Sequence, residues 1–241
     1  MPTINPAMKI LSLPLLAAVM LLGCQAQPRP VASDDAREVS DRSFAWPEQG
    51  RRFSVDSEAS ELRIVVYPDG PLARFGHPHV IGGAVLSGEI MLADPYTDSA
   101  LRLEIAVNEL EVDRPQWRKE EGFDPDMSAS AITGTRDNLL SEAVLNADRF
   151  PLIIIESLHI SGPAWQPDMD IRIDLAGTAR EMTVPVALDI QDGRLIATGR
   201  LVFRQSDFGI EPFSAAGGSL SVADQVLVRF RILATSAKSE G

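Results

Sequence analysis

Met169-Asp-Ile-Arg-Ile-Asp-Leu175 decides the fold. Successive side chains of an extended chain point to opposite faces. Met169, Ile171, Ile173 and Leu175 therefore share one face, and Asp170, Arg172 and Asp174 share the other. A strand with one apolar and one charged face belongs to an antiparallel sheet wrapped over a core. Beyond a short connection carrying Gly177, Met182 to Ile190 repeats the pattern with Met182, Val184, Val186, Leu188 and Ile190 aligned. Gln191-Asp192-Gly193 then reads as a hairpin turn. Leu195 to Arg204 follows with Leu195, Leu201 and Phe203 on one side, and Gly199 sits where a barrel strand can bend sharply. Val226 to Ala234 sets Val226, Val228, Phe230, Ile232 and Ala234 against Arg229 and Arg231.

Earlier in the chain, Arg52 to Asp56, Glu61 to Tyr67, Val80 to Leu92 and Leu101 to Val107 give four more strands, and Pro151 to Ile160 a fifth. Nine short strands joined by Gly, Asp or Pro turns predict a mainly β fold, an antiparallel barrel or sandwich. Ile171, Ile173, Val184, Val186, Leu201, Phe203, Val228 and Phe230 are the expected inward-facing residues. Asn108 to Phe150 is too long for a plain loop. Leu139, Leu140, Ala143, Val144 and Ala147 recur at helical spacing there, which predicts an amphipathic helix capped by Thr133 or Thr135, opened by Arg136-Asp137 and covering one barrel mouth.

The 241 residues are 45% hydrophobic and carry a formal charge of −12. Such a surface repels nucleic acid. One Cys forms no internal disulfide, and three His are too few for the usual zinc sites. The Cys is explained by the first 24 residues. Lys9 precedes Ile10 to Gly23, an apolar run too short to span a bilayer and interrupted by Pro14, which is the order of a secretory signal. Met8 is an alternative start. The run ends Leu21-Leu22-Gly23-Cys24 and resembles the lipobox of bacterial lipoproteins, whose Cys becomes the lipidated first residue. Gln25, rather than Asp, after the Cys favours outer-membrane sorting. Residues 25–48 read as a flexible tether and 49–237 as one domain.

No nucleophile elbow, phosphate loop, paired-carboxylate motif or HExxH occurs, so no enzyme is expected. His77-Pro78-His79 would place two imidazoles on one strand face, and two ligands are not a site without carboxylates or a third His. Their alternative is a turn in which the imidazoles satisfy backbone groups. Arg136, at a barrel mouth, suits a carboxylate or an anionic head group. Phe208 either plugs the core or stands with Phe213 at a cavity entrance.

Six segments carry a resemblance. They are Phe53-Ser-Val-Asp-Ser, Gly76-His77, Thr135-Arg136-Asp137 with Leu140, Phe150-Pro151 leading to Ile155-Glu156-Ser157, Leu175-Ala-Gly177-Thr-Ala-Arg180 before Val184-Pro185-Val186, and Arg204-x-x-Asp207-Phe208-Gly209-Ile210. In that order they resemble the YceI-like family over about Arg52 to Leu233. The resemblance implies an extended lipocalin-like antiparallel barrel whose apolar interior holds a polyisoprenoid chain, in secreted or periplasmic proteins without catalytic chemistry. The expectation is thus a lipoprotein anchored through Cys24 in the bacterial envelope, facing the periplasm, with a polyprenyl lipid or isoprenoid quinone as ligand and no other cofactor. Ile171, Ile173, Val184, Val186, Leu201, Phe203, Phe208, Val228, Phe230 and Arg136 are its candidate ligand contacts. The alternatives are a ligand-free envelope scaffold or stress-response interaction protein, and metal or haem handling through His77 and His79.

Overall fold

The computed structural model describes residues 43–236, so Cys24, the signal segment and most of the tether lie outside the described residues. Eleven strands form one antiparallel sheet: β1 (Arg51–Val55), β2 (Glu61–Val66), β3 (His79–Gly82), β4 (Leu86–Leu92), β5 (Ala100–Ala106), β6 (Glu111–Val112), β7 (Leu152–Ser161), β8 (Asp168–Leu175), β9 (Thr178–Gln191), β10 (Arg194–Arg204) and β11 (Gln225–Thr235). Strands β1, β4, β5, β7, β8, β9, β10 and β11 close on themselves, because β1 pairs both with β4 and with β11. This is a mainly β, closed eight-stranded antiparallel barrel.

The three remaining strands continue staves of that barrel. β11 pairs with β1 at Ala234 and Thr235 and with β2 from Arg231 back to Leu227, so β1 and β2 are one stave interrupted by a turn. Ser60 fills the interruption, its hydroxyl accepting from the Leu233 N–H at 3.0 Å. β3 and β4 are likewise the two halves of Val80 to Leu92, which the alternation presents as one strand. The break has a steric cause at Gly82 and Gly83. A Cβ on Gly82 would stand 2.3 Å from the Leu62 carbonyl oxygen, and Gly83 has φ +143°. β5 and β6 are separated by the turn Val107–Glu109.

The register explains why the apolar faces point inward together. Ile171 stands opposite Met182, Met169 opposite Val184, Leu201 opposite Val228 and Phe203 opposite Val226. On the outer face Arg102, Glu156 and Arg172 line up across three strands, with Arg102 Nη1 donating to Glu156 Oε1 at 2.7 Å. Gly199 faces Phe230, whose ring lies 2.5 Å from where a Cβ would be, so only glycine lets this stave approach.

Two helices interrupt the strands. α1 (Pro115–Glu120), which the periodicity does not reveal, starts at a Pro suited to a first helical turn. Its end neutralises a row of like charges, since Arg63 and Arg229 are directly opposed on β2 and β11. Glu120 faces Arg63 at 3.7 Å, and Glu121 just beyond the helix accepts from Arg229. α2 (Ala129–Leu140) corrects the expected helix: it starts and ends earlier. Ser128, not Thr133 or Thr135, caps it, its hydroxyl accepting from the Ala131 N–H at 3.2 Å. Ala143, Val144 and Ala147 lie beyond it in turns, because Ser141 leaves the helix at ψ 162° and Asn146 takes φ +46°. Asp137 is therefore in the body of the helix rather than its first turn. No residue of α2 is fully buried, and Ile132, Leu139 and Leu140 pack on the core.

Candidate functional site: an apolar cavity in the barrel

Alternation makes the interior apolar, and curvature leaves it unfilled. A cavity of about 190 Å³ runs inside the barrel. Of the residues lining it, only Gln205 is polar and none is charged. Ile171, Ile173, Val184, Val186, Leu201, Phe203, Val228 and Phe230, contributed by β8 to β11, all stand in its wall. Leu139 of α2, with Val144 and Leu145 after it, close the end at which β10 terminates and β11 begins.

Phe208 does not stand in the wall. It is 2% exposed and packs edge-on behind Phe203, with ring centroids 5.2 Å apart, which makes it a core plug. Phe213 is 41% exposed and also outside the lining. Arg136 is likewise outside it. Its Nη2 donates to the Asn108 carbonyl at 2.6 Å and its Nε to the Leu110 carbonyl at 3.2 Å. The guanidinium thus ties α2 to the turn between β5 and β6, a structural role in place of the carboxylate or anionic head group that its position at a mouth also suits.

The two histidines are not a pair on one strand face. His77 is exposed and precedes β3, whose first residue is His79. His79 instead joins a buried charge network. Its Nδ1 lies 2.6 Å from Asp113 Oδ2, while Asp113 Oδ1 accepts from the Val80 N–H at 2.9 Å and from Arg118 Nη1 at 2.7 Å. Arg118 also donates to the carbonyls of Pro78 at 2.7 Å and Asp124 at 2.5 Å. Burial of Asp113 raises its carboxyl pKa, but the hydrogen bonds from His79, Val80 and Arg118 outweigh it and hold the group below its ordinary value. The network pins β3 to the start of α1. Among the described residues no group of three or more His, Cys, Asp or Glu side chains is placed to hold a metal ion.

A closed antiparallel barrel with a charge-free apolar interior is the lipocalin-like fold. The chain belongs to the YceI-like domain family, whose model matches residues 53–234. Its fold is similar to that of Burkholderia cenocepacia BcnA, at 16% identity and TM-score 0.57, covering 75% of this chain and 99% of that one. It is also similar to a Saccharophagus degradans polyisoprenoid binding domain implicated in plant cell wall breakdown, at 16% identity and TM-score 0.52, covering 77% and 98%. No curated protein matches the sequence.

Proposed function

We propose that the protein is a lipid-anchored periplasmic binding protein that holds a long isoprenoid, a polyprenyl lipid or quinone, inside its barrel. The observation that carries this reading is the cavity, apolar but for Gln205. Burial of a prenyl chain contributes about 25 cal/mol per Å² without directional contacts. The name of the Saccharophagus neighbour agrees with such a guest. Cys24 supplies the anchor and residues 25–48 the tether in this reading, with the outer membrane as the destination that Gln25 favours. A carrier needs no catalytic set.

The test is mass spectrometry of an organic extract of Cys24→Ala protein purified without detergent, so that no anchor lipid contributes. A long-chain isoprenoid at near one equivalent is expected. Extracts without any stoichiometric apolar compound would replace the carrier by the ligand-free scaffold.

A further inference from the structure

We infer that the cavity selects a chain ending in a neutral hydroxyl and discriminates against a phosphorylated one, with Gln205 accepting the hydroxyl hydrogen. The inference rests on the carrier reading and adds the chemistry of the ligand's polar end. Gln205 is 8% exposed and is the one polar residue in the wall. Its Nε2 donates to the Ala223 carbonyl at 2.9 Å, which fixes the amide plane. Its main-chain groups are also used, the N–H by the Asp224 carbonyl and the carbonyl by the Ile210 N–H. Oε1 has no hydrogen-bond partner among the described residues. With the amide held this way in the cavity wall, Oε1 is an acceptor that a ligand's donor can meet.

The absence of charge from the wall sets the other half of the selection. A phosphate drawn into a low-dielectric site without a cation pays its desolvation uncompensated. Arg136, the arginine nearest in role to such a cation, is committed to the Asn108 and Leu110 carbonyls. A hydroxyl carries no such penalty and donates to the one acceptor present. Gln205 opens the helical turn Gln205–Phe208 at the end of β10, so the polar end of the chain would lie there and the hydrocarbon would extend down the barrel past Leu201 and Val186.

The experiment measures displacement of an environment-sensitive fluorescent probe by geranylgeraniol, its methyl ether and its monophosphate, on wild-type protein and on Gln205→Met. Wild type should bind the alcohol about 5- to 10-fold more tightly than the ether, the factor expected of one buried hydrogen bond, and the monophosphate more weakly than either. Gln205→Met keeps length and volume, so it should retain ether affinity and lose the preference for alcohol. Equal affinity for alcohol and ether in wild type, or a monophosphate bound as tightly as the alcohol, overturns the inference while leaving the carrier intact. Failure of all three chains to bind overturns both. The wild-type series decides even if Gln205→Met does not fold.

Discussion

Asp113 is the residue whose replacement should be felt most sharply. It is completely buried, takes φ +54° and meets Arg118, which is 1% exposed. Asn tolerates this backbone conformation and keeps the shape, so Asp113→Asn removes little but charge and leaves the Arg118 guanidinium buried without its counterion. Loss of one partner of a buried pair costs about 3 to 5 kcal/mol, and urea unfolding at pH 7 should show a loss of that size. The pH dependence has a definite sign. Because folding lowers the Asp113 pKa, its contribution is present above the ordinary aspartate value near 3.9 and is lost as pH falls through the folded value. Wild type should therefore lose stability below about pH 4 more steeply than Asp113→Asn. Parallel acid curves for the two proteins would show that the carboxylate contributes nothing of this kind.

Among the elements, α2 is tied to the β5–β6 turn by one side chain near its middle, besides the packing of Ile132, Leu139 and Leu140 on the core. The Arg136 guanidinium reaches two carbonyls at once, which an ammonium group does not reproduce. Arg136→Lys should speed amide exchange across residues 129–140 and lower global stability by only about 1 kcal/mol, one hydrogen bond's worth. Ligand retention should stay at the wild-type level, whereas its selective loss would return Arg136 to the binding site. Strands were legible where the rule is local. Met169–Leu175 and Val226–Ala234 declare their inner faces through alternation alone, and those faces do form the cavity wall. The break at Gly82-Gly83 was not legible, because its cause is the Leu62 carbonyl on another strand. The start of α2 is ambiguous in the sequence because Ser128 and Thr135 are both good caps in isolation, and its end at Ser141, which leaves the helix at ψ 162° within the apolar stripe, is set by the fold. His79 stands out in the sequence, but its partners Asp113 and Arg118 do not: 34 residues separate His79 from Asp113, and only the fold brings them together. Gln205 gave no signal beyond ending a strand.

At the scale of the whole molecule, the question that periodicity leaves open is volume. Val184 and Val228 point into the barrel from β9 and β11. In a filled core, Val184→Phe or Val228→Phe would cost about 1 to 3 kcal/mol by overpacking. Beside an open cavity the ring has somewhere to go, so ligand-free protein should lose less than that in thermal unfolding while its capacity for a bound chain falls. A full overpacking penalty at both positions would mean that the space is not available to a guest. The closure that creates this space joins the two ends of the domain, with Ser54 of β1 beside Thr235 of β11. Long-range pairing of this kind is slow to form. During synthesis, then, the opening strand of the domain is made well before β11, the strand that closes the barrel against it. The pairing that seals the barrel therefore depends on its first strand and its last, so the enclosed interior requires both of them to be made.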